Sequence, residues 1–305
     1  MPTYDFITVD VFTENQFGGN PLAVVLNADG LSDPQMQAIA AEFNLSETTF
    51  VLPPEDPANT ARMRIFMPKG EMPFAGHPNI GTAYALARAG TVYGKPVDPQ
   101  RLVIEQKAGP VPLDLETDGA LVRGARLTAP RRFATGRTHA VDGIARACGL
   151  SPDDLDLSNH PPIVGSCGAP FVIVEGRSLD TLARAVPDIA ASAEEMTDPG
   201  CTGILLYVRT PDGESDIRAR LFAPLDGINE DPATGSANVA LAGLLAHLDP
   251  RTSLDLSLTV HQGVEMGRPS RLLTTATKRD GVVETTKVAG RCVPVMAGTL
   301  TLRHD

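Results

Sequence analysis

Two short stretches decide the fold of this chain, because they repeat one pattern. Residues 77–86 read HPNIGTAYAL, and residues 231–240 read DPATGSANVA. Proline, glycine, a hydroxyl residue and alanine stand at matching positions in the two stretches. Each stretch leads into a predicted helix with almost no charge, near 79–89 in the first case and near 233–248 in the second. A helix that is apolar on all sides must be enclosed, so each is predicted to lie inside its own domain.

The same order of motifs continues in the surrounding chain, which indicates an internal duplication. Residues 19–25 (GNPLAVV) correspond to 168–174 (GAPFVIV), and residues 64–68 (RIFMP) correspond to 220–224 (RLFAP). All three pairs occur in one order and at nearly constant separation, a pattern that is typical of a duplicated domain with loop insertions.

Strands dominate the rest of the pattern, although one helix is predicted over 33–43. Near the end of the chain, three short strands are predicted at 281–286, 292–296 and 299–302. We therefore predict an α+β fold of two pseudo-equivalent lobes, each a barrel-like, mostly antiparallel sheet wrapped around a central apolar helix. The lobes are predicted to cover 1–128 and 129–291, with a final strand near 292–305 returning to the first lobe.

Composition excludes several classes of protein. Of the 305 residues, 42% are hydrophobic and 21% charged, which is typical of a globular chain, and the formal net charge is −11. The sequence contains no basic cluster suited to nucleic acid or anionic lipid, residues 1–9 lack the basic start and apolar core that a signal peptide needs, and no apolar run approaches the length of a membrane span. The 4 cysteines lack metal-ligand spacing, and P-loop and HExxH motifs are missing. We expect a cytoplasmic protein with no metal and no cofactor.

The starts of the two central helices are candidate anion sites. Helix N-termini expose unpaired N–H groups and the positive end of the helix dipole, so Gly76, Gly235 and Ser236 are predicted to bind a substrate carboxylate. Pro78 and Pro232 are interpreted as prolines of the first helical turn. Alternatively, Asp231 followed by proline is an ordinary helix cap with no role beyond structure.

His77 and Asp231 are predicted to stand at matching positions of the repeat and to act on one substrate. Histidine titrates near neutral pH, and a carboxylate can fix its tautomer or share its proton, so the pair suits proton transfer. The alternative is a histidine that only satisfies local hydrogen bonds in the core.

Glu47 is the third candidate catalytic residue, and it stands between a predicted helix and an apolar strand. In the second half, Thr202 takes the corresponding position. A glutamate that faces a dry cleft can serve as both base and acid, whereas a glutamate at an exposed strand start would have no catalytic role.

Five motifs together resemble the phenazine biosynthesis isomerase (PhzF-like) family. They span most of the chain in a specific order: DVFT at 10–13, GGNPLAV at 18–24, NLSET at 44–48, FAGHP at 74–78 and DPATGSA at 231–237. The resemblance implies the diaminopimelate epimerase-like fold and, usually, a homodimer. It also implies cofactor-free isomerisation of a cyclic, dihydro-3-hydroxyanthranilate-like carboxylic acid by removal and return of a proton.

The resemblance also assigns residues. The catalytic glutamate of the family falls on Glu47, its Gly-His-Pro on Gly76 to Pro78, and its Asp-Pro-Ala-Thr-Gly-Ser on Asp231 to Ser236. Two other functions stay open at this point. A racemase or epimerase of amino or hydroxy acids would need a cysteine at each helix start, and a non-catalytic module would merely bind a small anion.

Overall fold

The structure, a computed structural model, describes residues 1–198, 200–201, 203–210 and 213–302. Contacts divide the chain into two units. Unit 1 comprises Met1–Leu127 together with the chain from Ala289 onward, and unit 2 comprises Thr128–Val288. Thr202 and the last three residues of the predicted strand at 292–305 lie outside the described residues.

The elements up to residue 128 are mostly strands. In chain order they are β1 (Thr3–Val11), β2 (Asn20–Val25), α1 (Asp33–Phe43), β3 (Glu47–Leu52), β4 (Ala61–Met67), β5 (Gly70–Met72), α2 (Gly76–Ala89), β6 (Thr91–Val92), β7 (Lys95–Pro96), β8 (Leu102–Gln106), β9 (Gly109–Asp118) and β10 (Leu121–Thr128).

The elements that follow belong to unit 2, except that the last strand passes into unit 1. They are β11 (Ala134–Thr138), α3 (Val141–Ala147), β12 (Ile163–Ser166), β13 (Pro170–Glu175), α4 (Leu179–Arg184), α5 (Ile189–Glu195), β14 (Ile204–Arg209), β15 (Ile217–Ala223), β16 (Ile228–Asp231), α6 (Gly235–Leu248), β17 (Leu254–Gln262), β18 (Ser270–Arg279) and β19 (Val282–Thr301). Short 3₁₀ turns occur at Pro152–Asp154 and Pro224–Asp226.

The sheet of unit 1 closes on itself. Hydrogen bonding runs from β1 through β2, β3, β4, β8, β9, β10 and β19, and β19 pairs again with β1. The β2–β3 and β4–β8 pairs are parallel. The β1–β2, β3–β4, β8–β9, β9–β10 and β1–β19 pairs are antiparallel, so this is a closed and mostly antiparallel barrel.

Helix α2 fills this barrel. It packs against β1, β2, β3, β8 and β9, and its residues from Gly76 to Leu86 are all buried. At Gly81 the helix lies so close to the wall that an added Cβ would stand 2.6 Å from a methyl of Leu22 and 2.8 Å from one of Val11. The small residues of the repeat therefore allow the helix to fit inside a narrow barrel.

Unit 2 repeats this order of pairing. The run β12–β13–β14–β15–β17–β18 alternates antiparallel, parallel, antiparallel, parallel and antiparallel, as does the run β1–β2–β3–β4–β8–β9. Helix α6 packs against β12, β13, β17 and β18, and most of its side chains are buried. The predicted fold class and the internal duplication are confirmed.

Two further features concern the cysteines and the length of the helices. All four cysteines are free and buried. Among the described residues, no helix combines the length and the apolar character that a membrane crossing needs.

Candidate active site

Glu47 is placed by a sharp turn in the chain. Helix α1 ends at Phe43. Its C-cap, Asn44, has a left-handed backbone (φ 50°) that turns the chain, and β3 begins three residues later at Glu47. Because β3 runs parallel to β2 with Glu47 opposite Leu22, the glutamate lies near the first residues of β2. Its side chain is only 12% exposed. The alternative of a solvated glutamate at a strand start is therefore not what the structure shows.

His77 is the second residue of α2 and faces Glu47. Its ring is buried, with 4% of the residue exposed, and its Nε2 atom lies 3.5 Å from Oε2 of Glu47. This distance is slightly longer than a good hydrogen bond, so a small shift of either side chain would bring the two groups into direct contact.

The tautomer of His77 follows from a third residue, Asn20. The hydroxyl of Ser46 donates to Oδ1 of Asn20 at 3.0 Å, which turns the amide nitrogen of Asn20 toward Nδ1 of His77 at 3.3 Å. An amide nitrogen only donates, so Nδ1 accepts and a neutral ring carries its proton on Nε2, toward Glu47. Asn20 and Ser46 were not among the predicted site residues, although both stand inside the motifs that resemble the family.

We expect the imidazole of His77 to be neutral at physiological pH. Burial lowers the pKa of His77 from 6.5 to about 3. The unfolded chain therefore takes up this proton below pH 6.5, whereas the folded protein does so only near pH 3. It follows that the contribution of His77 to stability is complete above pH 6.5 and is lost as the pH falls toward 3.

NMR titration of the imidazole checks this expectation, together with unfolding measurements between pH 7 and 4. His77→Gln serves as the control, since it should lose this part of the pH dependence of stability. A His77 ring that titrates between pH 6 and 7 in the folded protein would show that the site holds an imidazolium instead.

In unit 2 the structure corrects the predicted helix start. Helix α6 begins at Gly235 with Thr234 as its N-cap, whereas Asp231 is the last residue of β16. Pro232 thus precedes the helix and is not a proline of its first turn. Pro78 does lie in the first turn of α2, but as its third residue, after a start at Gly76.

The prediction that His77 and Asp231 occupy matching positions is therefore wrong. Counted from the helix starts, Gly76 matches Gly235 and His77 matches Ser236. The alignment of the two sequence stretches was displaced because the chain takes a different path into each helix. Gly76, Gly235 and Ser236 do stand at the helix starts, where backbone N–H groups have no partner within the helix.

Asp231 is buried and held by its own loop. Thr234 donates its hydroxyl hydrogen to Oδ2 of Asp231, and the backbone carbonyl of Asp231 accepts from the amide of Gln262 at 2.7 Å. Gln262 ends strand β17, and nothing in the local sequence pattern indicated its contact with Asp231. Within the described residues, no group of three or more His, Cys, Asp or Glu side chains is arranged to hold a metal.

Comparisons with known proteins agree with this architecture. The family model for phenazine biosynthesis-like proteins matches residues 9–298. An uncharacterised isomerase of Mesorhizobium japonicum is 38% identical over 98% of this chain and 99% of its own length. The trans-2,3-dihydro-3-hydroxyanthranilate isomerase of Pseudomonas chlororaphis is 35% identical over 98% of this chain and 100% of its own.

A solved structure is also similar. The PhzF-family phenazine biosynthesis protein of Bacillus anthracis superposes with a TM-score of 0.89 at 29% identity, covering 99% of this chain and all of that one. The fold is diaminopimelate epimerase-like, and the enzyme is an isomerase. The chain belongs to the phenazine biosynthesis-like (PhzC-PhzF) family, as its motifs predicted.

Proposed function

We propose that this isomerase moves a proton within a small cyclic unsaturated carboxylic acid of the dihydro-3-hydroxyanthranilate type, with Glu47 as the acid and base. The observation that carries the proposal is the buried carboxyl of Glu47, 3.5 Å from a neutral His77 at the start of an enclosed helix. The 35% identity to a trans-2,3-dihydro-3-hydroxyanthranilate isomerase supports the substrate class.

The proposed reaction needs no external reagent. The carboxylate of Glu47 takes a proton from a saturated ring carbon, and the electrons of that C–H bond enter the conjugated system. Glu47 then returns the proton to another carbon of the same system, which shifts the double bonds and restores the carboxylate. One proton is removed and one is added at a different carbon, so no atoms are gained or lost and the net change is an isomerisation.

The neutral state of His77 suits this role. An imidazolium at 3.5 Å would bind the carboxylate as an ion pair and weaken it as a base, whereas a neutral ring offers only one N–H. That N–H, on Nε2, points toward Glu47 and orients its carboxyl. The N–H groups at the start of α2, beginning with Gly76, supply a site for the substrate carboxylate.

The assignment of Asp231, Gly235 and Ser236 to the substrate stays a prediction. Asp231→Asn and Ser236→Ala test it by their effect on kcat and KM. The racemase alternative loses support, because the helix starts carry His77 and Ser236 where that chemistry needs two thiols. Homodimer formation and a cytoplasmic location also stay predictions.

Incubation with trans-2,3-dihydro-3-hydroxyanthranilate in D₂O tests the function. We expect NMR to show a shifted double bond, with deuterium at the newly protonated carbon to the extent that Glu47 exchanges its proton with solvent. Inversion at a stereocentre without a double-bond shift would indicate a racemase. An unchanged substrate would overturn the proposed substrate class.

A further inference from the structure

An asparagine and a glutamine join the start of each central helix to the end of a strand in the same unit. In unit 1, Asn79 is the fourth residue of α2, and its amide donates to the carbonyl of Ala75 at 2.8 Å and to Oε1 of Gln106 at 3.2 Å. The amide of Gln106 donates back to Oδ1 of Asn79. Gln106 is the last residue of β8, so the pair joins the helix start to the end of a strand.

Unit 2 uses the same residue types at the same positions. Asn238 is the fourth residue of α6, and its amide donates to the carbonyl of Thr234 at 2.9 Å and to Oε1 of Gln262 at 2.7 Å. Gln262 ends β17, which corresponds to β8 in the repeated order of pairing.

The Asn79–Gln106 and Asn238–Gln262 pairs differ in one respect. Gln262 does not donate back to its asparagine. Its amide donates instead to the carbonyl of Asp231 at 2.7 Å and to Oγ1 of Thr234 at 3.1 Å. In the described part of the chain, Oδ1 of Asn238 is consequently buried without a hydrogen-bond partner. A buried carbonyl without a partner is unfavourable, so the other contacts of Gln262 must offset that cost.

Those contacts lead to one carboxylate. The amide nitrogen of Gln262 can only donate, so Oγ1 of Thr234 accepts from it and has its own hydrogen free for another acceptor. That hydrogen is donated to Oδ2 of Asp231. Oε1 of Gln262 also accepts from the backbone N–H of Thr234 at 3.2 Å, which fixes the threonine from both sides.

We propose that Gln262 and Thr234 are positioning residues that hold the carboxylate of Asp231 in place for the reaction. The proposal rests on the proposed function in one point, the action of Asp231 on the substrate. In unit 1 the asparagine and the glutamine hydrogen-bond to each other in both directions, because the amide of Gln106 donates to Oδ1 of Asn79. In unit 2 the amide of Gln262 donates to Asp231 and Thr234 and not to the asparagine.

Thr234→Val tests the proposal, because valine keeps the shape of threonine and removes the hydroxyl. With trans-2,3-dihydro-3-hydroxyanthranilate, we expect kcat to fall about tenfold or more while KM changes by less than about threefold. Thr234→Ser should restore most of kcat. Gln262→Glu, which removes both donors and keeps an acceptor, should lower kcat by a similar factor.

Ser270→Ala is the matched control. Ser270 donates to the carbonyl of Pro232 at 2.8 Å, so its loss loosens the same loop without touching the carboxylate of Asp231. We expect this variant to lower the thermal midpoint while kcat stays within about twofold. If Ser270→Ala reduced kcat as much as Thr234→Val, the effect would be general loosening and the proposal would be overturned.

Asp231→Asn separates this proposal from the proposed function. In the Asp231→Asn background, Thr234→Val should lower kcat by less than about twofold further, since the two residues act through one carboxylate. Full additivity would contradict the proposal. If Asp231→Asn alone left turnover unchanged, the role of Asp231 in the proposed function would fail instead.

A crystal structure of the Thr234→Val protein gives a readout without any substrate. We expect the side chain of Asp231 to leave its present rotamer, whereas the Ser270→Ala protein should keep it. An unchanged Asp231 in the Thr234→Val protein would overturn the proposal even if the enzyme proved inactive on the substrate offered.

Discussion

Glu47→Gln is expected to lower the rate of proton transfer by about 10² to 10⁴, the range that general acid–base catalysis usually contributes. Glutamine has nearly the same shape as glutamate but cannot accept and return a proton at neutral pH. Binding should change far less, and we expect ligand affinity to stay within about tenfold. Deuterium incorporation measured by NMR and turnover measured under the same conditions check both parts.

Glu42→Gln is the control for this variant. Glu42 lies on the exposed side of α1, five residues before Glu47, so the same chemical change should there leave turnover unaffected. Undiminished exchange in the Glu47→Gln protein would remove Glu47 from the mechanism. A loss of exchange accompanied by a lower thermal midpoint would point to damage to the fold.

Gly81→Val is expected to have the largest effect on stability. The first added atom would already stand 2.6 Å from Leu22 and 2.8 Å from Val11, and both of these side chains are fully buried in the barrel wall. Overpacking of this kind costs about 1–3 kcal/mol or more, and valine adds two further methyl groups in the same narrow space. We expect the thermal midpoint of unfolding to fall by about 5 °C or more.

Gly70→Ala serves as the comparison. A Cβ at Gly70 would meet nothing within 4 Å, and the backbone there is not in the left-handed region. Its midpoint should therefore stay within about 2 °C of the parent protein. A Gly81→Val protein as stable as the parent would mean that the barrel adapts to a wider helix.

The sequence predicted the bounds of an element well where residues at its own ends fix those bounds. Helix α1 spans residues 33–43 as predicted, because Ser32 and Gln35 cap one end and Asn44 ends the other. The start of α2 was misplaced by three residues, since proline is tolerated anywhere in a first turn and does not mark the first helical residue.

Long-range pairing explains the larger differences. The three short strands predicted after residue 280 are one 20-residue strand, β19. Pro294 looked like a break, yet it pairs with Val9 at a register shift, where a bulge accommodates proline in a sheet. Gly290 packs against the ring of Phe12, where an added Cβ would stand 2.1 Å from a ring carbon, so its lack of a side chain serves packing and does not end the strand.

The candidate site was predicted in part. Glu47 and His77 do lie together, and their residue types were sufficient to suggest proton transfer. The support around Asp231 was not foreseeable, because Gln262 lies 31 residues further along the chain and belongs to another strand. Contacts of this kind depend on strand register, which a single sequence does not show.

The long strand β19 has a consequence for biosynthesis. The barrel of unit 1 receives its closing strand only after nearly all of unit 2 has been translated, since β1 and β10 both pair with β19, which begins at Val282. At usual elongation speeds this leaves two strand edges unpaired on the ribosome for roughly 10 to 30 s. The nascent chain is therefore most exposed to mispairing and to chaperone capture through its first half, although that half emerges first.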